Sequence, residues 1–298
     1  MKATVELRHL RYFTVLAHEL HFGRAASRLG IAQPPLSQQI QRLESLLGTR
    51  LLERTSRKVQ LSDAGRAFLV EAERVLAGVD AAVEAARRAG RGESGELRVA
   101  FAATVMFLAL PAIIRDFRLH FPRVHLDLRE MPTGPQLAAL RDGDIDIGFV
   151  REPRPDPALE IVTVMREPLR IAVNRSHPLA ARPTLAVRDL ADEPFVLFPA
   201  DLAPGLHAQV MALCRAAGFS PRVVEESREL YTSVSLVEAG VGVSILPASV
   251  EKLGWRGVRY RAIPSPGAET RIAAAWRRDR ERPVIAAFMG VVHDAVGG

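Results

Sequence analysis

Residues 23–48, GRAASRLGIAQPPLSQQIQRLESLLG, read as two short helices around a tight turn, the second opening on Pro-Pro-Leu-Ser. Ala25, Ala26 and Leu29 give the first helix a small-residue face that another helix can approach, and Gly30 supplies the left-handed backbone that ends a helix. Pro34 and Pro35 are barred from a helix interior but fit a first turn, where backbone donors lack partners anyway. A second helix therefore starts near Pro34, with Leu36, Ile40, Leu43 and Leu47 at helical spacing as its buried stripe. The opposite face carries Gln33, Ser37, Gln38, Gln41 and Arg42 and no acidic residue. Gln and Arg pair bidentately with adenine and guanine edges, so this face suits a DNA groove. A helical hairpin with a merely solvated polar face has the same local pattern.

Charge placement favours the DNA groove. Residues 1–60 hold ten Lys or Arg and four Asp or Glu, an excess of six that equals the net charge of the whole chain, whereas residues 61–298 balance at thirty of each sign. A basic excess confined to one module is the electrostatic footprint of nucleic-acid binding. Arg50, Arg54, Arg57 and Lys58 cluster after the second helix, where Leu51–Thr55 and Lys58–Leu61 read as two short strands around a turn. Such a basic wing suits contact with phosphates or the minor groove; for any single Arg a solvated charge run is the competing account.

The chain from Ser62 to Arg91 has no proline, and Ala72, Val79 and Ala86 recur every seven residues with Val75 or Leu76 and Ala82 or Val83 between them. That spacing predicts a helix of about eight turns, capped by Ser62 or Asp63, that packs along a partner helix and dimerises the protein. Two DNA readers brought together in this way meet two half-sites. Gly90, Gly92 and Gly95 spell G-x-G-x-x-G, but after a helix and before a strand, the reverse of a dinucleotide fingerprint, so AGRGESG reads as a hinge. His18, Glu19 and His21 lack the His-Glu-x-x-His spacing of a zinc protease and fall at the end of the first long helix.

Beyond the hinge, strands alternate with helices: strands over residues 97–102, 125–131 and 144–150, helices over 105–120 and 135–141, then a second series from Leu169. The last strand and helix, 272–276 and 283–296, return to the first series. This alternation predicts a parallel sheet covered on both faces and two α/β subdomains with a cleft between them. The expected boundaries are a DNA-binding domain at 1–61, a dimerisation helix at 62–91, a hinge at 92–96 and an effector domain at 97–298. Within the last, subdomain I spans about 97–167 and 268–298 and subdomain II about 168–267. Ligands bind outside the carboxyl ends of strands in such sheets. There Thr104 and Thr133 stand before helices that they can cap, leaving backbone N–H groups for an anion, while Arg151 ends the third strand and Pro204, Gly205 and Leu206 form a later loop. Two helix starts and an Arg on one cleft suit a carboxylate; two plain caps and a surface ion pair are the competing account.

The stretch LRHLRYFTVLAHELHFGRAASRLGIAQPPLSQQIQRLESLLGTRLLERTSRKVQLSDAGRAFL closely resembles the winged helix-turn-helix of LysR-type transcriptional regulators, and EAGVGVSILP and IDIGFV resemble that family's effector domain, so the likeness spans nearly the whole chain. HFGRAASRLGIAQPPLSQQI and EMPTGPQLAALRDGDIDIGFVR are most similar to the branch sensing benzoate, muconate and related acids of aromatic catabolism. The resemblance implies an α/β protein with a winged helix-turn-helix, a long dimerisation helix and a periplasmic-binding-protein-like effector domain. It implies a homotetramer built as a dimer of dimers, a double-stranded DNA operator, a small-molecule acid effector that changes DNA bending, RNA polymerase as a further partner, and no cofactor. Carried over residue by residue, Pro34, Pro35 and Ser37 meet DNA with Gln33 alongside, Arg54 is the wing arginine, and Thr104 and Thr133 are the hydroxyl residues of the effector site. Gln38 stands where the branch often has arginine, Leu206 replaces an aromatic, and Thr104 replaces a serine, which alters operator preference and pocket shape.

Other classes fare worse on the residues. An α/β enzyme lacks a G-x-S-x-G elbow, a P-loop and metal-ligand spacing. A solute-binding protein explains a cleft but neither the basic module nor the N-terminus MKATVELRHLRYF, which lacks the apolar core of a secretory signal. A constitutive DNA binder predicts no response to any small molecule. No run approaches the roughly 20 apolar residues of a membrane helix, so no membrane partner is expected and the cytoplasm is the expected compartment. Cys214, the single cysteine, reads as a buried structural thiol.

Overall fold

In the computed structural model, which describes residues 4–54, 58–280 and 282–297, Phe13, Leu16, Ala25, Leu36, Ile40 and Leu43 are completely buried and bind three helices together. These are α1 (Leu7–Glu19), α2 (Phe22–Leu29) and α3 (Gln33–Leu47). Gly30 ends α2 at φ 67°, and its N–H donates back to Ala26 and Ser27 carbonyls. Pro34 and Pro35 occupy the first turn of α3, where they forfeit no helical hydrogen bond. Strands β1 (Leu52–Arg54) and β2 (Val59–Leu61) pair antiparallel, and Glu44 Oε1 accepts from the N–H groups of Leu51 (2.8 Å) and Leu52 (3.1 Å), fastening this hairpin to the end of α3.

Helix α4 (Asp63–Gly90) is capped by Ser62, whose hydroxyl accepts from Gly65 N–H at 2.9 Å and donates to Arg50 O at 2.7 Å. Its first turns pack on α1 through Phe13 and Phe68, ring centroids 5.3 Å apart, and through His18 and Glu73 at 2.8 Å. Ala72 is buried, while Val70, Val75 and Val83 are exposed. The chain divides into two compact units, Met1–Arg87 and Arg88–Gly298.

The second unit contains β3 (Gly95–Phe101), α5 (Leu110–His120), β4 (Val124–Glu130), α6 (Thr133–Asp142), β5 (Ile147–Arg151) and the 16-residue β6 (Leu159–Asn174). It continues with β7 (Pro194–Leu197), α7 (Pro204–Ala216), β8 (Arg222–Glu226), α8 (Leu230–Glu238), β9 (Ser244–Pro247), β10 (Val258–Ala262), β11 (Glu269–Arg277) and α9 (Pro283–Gly297). The expected parallel sheet is in fact mixed: β3 runs parallel to β4 and β5, but β11 lies antiparallel between β5 and β6. The reason is that β6 and β11 are crossing strands. Residues 159–168 of β6 pair with β11 in the first lobe, and residues 169–174 pair antiparallel with β9 and β10 in the second. Leu169 N–H donates to Ala268 O at 2.8 Å where both strands cross.

Alternation along the strands divides the cores. Phe101, Ile147 and Phe149 face α5 and α9, where Phe288 meets Phe117 edge-on at 5.0 Å, and Ala100 and Val150 face Leu140 of α6. Each fully buried Phe contributes about 1.5–3 kcal/mol. In the second lobe Ile171 and Val173 face α7, and Ala172 faces Val234 and Val237 of α8. Burial pushes the Cys214 thiol up to about 11, as befits an unreactive packing group. Among the described residues no helix is long and apolar enough to cross a membrane.

Candidate functional site

The exposed face of α3 is polar because its apolar stripe is spent on the core. Gln33, Pro34, Pro35, Gln38, Gln41 and Arg42 are exposed and Ser37 is half-buried. Glu44, the one acidic residue of α3, is drawn off this face to the hairpin. Gln39 is likewise taken by the scaffold: Glu6 N–H donates to Nδ1 of buried His9, so Nε2 carries the proton and donates to Gln39 Oε1 at 3.0 Å. Arg24 and Arg28 both clamp Glu19, at 3.3 and 3.0 Å, and hold its carboxyl below the usual range, Arg28 most strongly. What remains facing outward is a set of hydrogen-bonding groups at a helix N-terminus with Arg42 behind it, an arrangement suited to base edges and phosphates. Lys58 is exposed just before β2; Arg57 and the Arg54 side chain lie outside the described residues.

The cleft between the lobes encloses about 130 Å³. Thr104, Thr133, Arg151 and Leu206 line it, together with apolar groups such as Met131, Phe198, Leu202 and Leu230. Two expected contributors do not: Pro204 and Gly205 sit in the first turn of α7 outside the lining. Gly205 serves packing instead, since a Cβ there would lie 2.0 Å from the Glu152 carbonyl oxygen.

The expected caps are also corrected. Ala102 and Pro132 hold the cap positions, and neither Thr104 nor Thr133 caps through its side chain. Both hydroxyls serve Arg151 instead. Thr133 Oγ1 accepts from the Arg151 backbone N–H at 3.0 Å, and Thr104 Oγ1 accepts from Arg151 Nη2 at 2.9 Å. The first turn of α6 has few donors to spare, because Pro135 has none and Gly134 N–H donates to Leu202 O at 3.0 Å.

Arg151 is neither a free countercharge nor a surface ion-pair partner. It is 5% exposed, and Nη2 lies 2.6 Å from Oε1 of Glu167, itself 5% exposed. Glu167 also accepts from Ser249 N–H (2.6 Å) and Ser249 Oγ (3.2 Å), so one carboxylate on a crossing strand ties the end of β5 to the second lobe. Burial lowers the Arg151 guanidinium from its ordinary value and Glu167 opposes that. One donor group is left over: Nη1 is buried without a hydrogen-bond partner among the described residues. A second tie between the lobes runs from Lys252 Nζ to Phe107 O. Reasoning from strand ends finds Arg151 but misses Glu167 and Ser249, which lie mid-strand and after β9; a lone glutamate in the apolar-flanked run MREPLRIAVN was the available signal.

Comparison with known proteins gives two family matches. Residues 7–66 match the bacterial regulatory helix-turn-helix protein of the lysR family, and residues 90–297 match the LysR substrate binding domain. The chain is 42% identical over 279 residues to the uncharacterized HTH-type transcriptional regulator YnfL of Escherichia coli, covering 93% of this chain and 94% of that one. It is 38% identical to the HTH-type transcriptional regulator AlsR of Bacillus subtilis, covering 96% and 95% of the two chains. The crystal structure of CbnR, a LysR family transcriptional regulator, superposes with a TM-score of 0.82 at 34% identity, covering 97% of this chain and 100% of that one. Full-length CbnR complexed with its target DNA gives a TM-score of 0.81, at 33% identity over 98% of this chain and 100% of that one.

Proposed function

Because the chain belongs to the LysR family of bacterial helix-turn-helix transcriptional regulators, we propose that it is a DNA-binding regulator gated by a small organic acid, aromatic or dicarboxylic, bound between the two lobes of its effector domain. Its relatives are regulators and not enzymes. The observation that carries the acid is Arg151, which lines an otherwise largely apolar cavity and whose buried Nη1 has no hydrogen-bond partner among the described residues. A carboxylate there supplies the missing acceptor, with the Thr104 hydroxyl beside it. Operator recognition falls to Gln33, Pro34, Pro35, Ser37, Gln38 and Arg42 of α3 and to the wing residues Arg54, Arg57 and Lys58. Assembly as a dimer of dimers would use the exposed valines of α4.

Gating follows from the ties across the cleft. Glu167–Ser249, Lys252–Phe107 and Gly134–Leu202 hold one arrangement of the lobes, and an acid shifts it only by binding two arrangements with different affinity. The test is operator affinity and DNA bending at fixed salt with and without a panel of acids. An acid that changes bend or footprint supports the reading; sequence-specific binding unmoved by every acid favours a constitutive regulator. Ser37→Ala should reduce preference for operator over random DNA by about 0.5–1.5 kcal/mol, the worth of one hydrogen bond, with the fold intact. Thr133→Val should blunt the acid response and leave operator affinity unchanged, and equal loss of both would assign Thr133 to folding.

A further inference from the structure

We propose that the cleft selects a compact acid with a single negative charge and discriminates against dicarboxylates. This rests on the reading of the cleft as an acid-effector site and narrows it. The cavity of about 130 Å³ is close to the ~150 Å³ that an engineered protein cavity devotes to one benzene ring. Its walls, including Ala102, Met131, Pro132, Phe198, Leu202 and Leu206, suit an apolar body of about that size.

The charges set the valence. Arg151 is already matched by Glu167 at 2.6 Å, so the pair is neutral, and its Nη1 donors are without a partner among the described residues. One carboxylate satisfies them and shares the guanidinium with Glu167. The remaining charged groups of the lining are Glu130, Glu229 and Arg228, all exposed, and none is ion-paired to another described residue. Two carboxylates against one guanidinium make this rim net negative. A second carboxylate on the ligand meets the one guanidinium of Arg228 against the carboxylates of both Glu130 and Glu229, a net repulsion at the rim, whereas an apolar or uncharged far end meets none. Like charges about 4–6 Å apart near a protein surface weaken binding by roughly fivefold or more.

The test is calorimetric titration of the full-length protein at fixed ionic strength with matched acids. Benzoate, cyclohexanecarboxylate and butyrate are compared with phthalate, cyclohexane-1,2-dicarboxylate and glutarate. At least one monocarboxylate should bind, and its dicarboxylate counterpart should bind at least about fivefold more weakly, with a gap that narrows as salt is raised. The double variant Glu130→Gln/Glu229→Gln, altered only at exposed positions, should raise dicarboxylate affinity more than monocarboxylate affinity and so close most of the gap. A dicarboxylate that binds as tightly as its counterpart, or a gap unchanged in the double variant, overturns the charge selection and leaves the acid site standing. Failure of every acid to bind overturns the acid site itself, and the selection with it.

Discussion

Glu167→Ala is expected to lower the stability of the effector domain by about 3–5 kcal/mol, the cost of leaving a buried charge without its partner. Arg151 and Glu167 are each 5% exposed, and water cannot replace the lost carboxylate. The Ser249 N–H and hydroxyl lose their acceptor in the same step. The loss is measured as a shift in the urea midpoint of the full chain. Removing both charges together, Arg151→Met with Glu167→Leu, should recover most of it, because an apolar pair of similar volume carries no desolvation penalty. The same double variant should lose all response to acids and keep operator binding. A single-variant loss below about 1 kcal/mol would mean that Arg151 finds another partner, and the tie between the lobes would then not run through Glu167.

Asp146→Asn has the second largest expected effect and a defined pH signature. The Asp146 side chain is 1% exposed just before β5 and accepts from Arg98 N–H at 2.9 Å, Arg98 Nη2 at 3.0 Å and Arg282 Nη1 at 2.7 Å. Burial alone would raise its carboxyl, but the hydrogen bonds from Arg98 and Arg282 outweigh burial and hold it below the ordinary value. A depressed folded value contributes stability that is full above the unfolded carboxylate value of about 3.9 and is lost as pH falls through the folded one. Asparagine turns an amide donor toward guanidinium donors and should cost about 1–3 kcal/mol near neutral pH. The gap to the parent protein should shrink below about pH 4, where the parent protonates as well. Urea midpoints at a series of pH values check this; a gap constant down to about pH 2 would place the Asn effect in packing and not in charge.

How much of the site could be read from residues depends on how far apart its determinants lie. Gly30, Pro34 and Pro35 act on their own backbone, so the turn and the start of α3 follow from local sterics. Leu36, Ile40 and Leu43 follow from helical period, and the polar face is what remains. Thr104, Thr133 and Arg151 were reachable because strand ends are where α/β sheets place ligands. The role of each was not. A hydroxyl before a helix reads as a cap until another strand of the sheet brings a guanidinium or a backbone N–H to it, as β5 does for both threonines, lying next to β3 and two places from β4.

The direction of the sheet was equally hidden. Residues 159–168 become strand by pairing with β11, more than a hundred residues later, and local pattern carries no trace of that partner. The sequence alone determined the helix-turn-helix, its outward polar face, the basic excess of residues 1–60 and the two-series α/β plan, because these rest on backbone sterics, periodicity and charge counts. Only the tertiary structure decided that Arg151 is neutralised by Glu167, that its Nη1 is buried without a hydrogen-bond partner among the described residues, and that two carboxylates and one guanidinium stand at the cavity rim. Those depend on which charges burial forces together, and long-range strand pairing, with the burial it imposes, sets that.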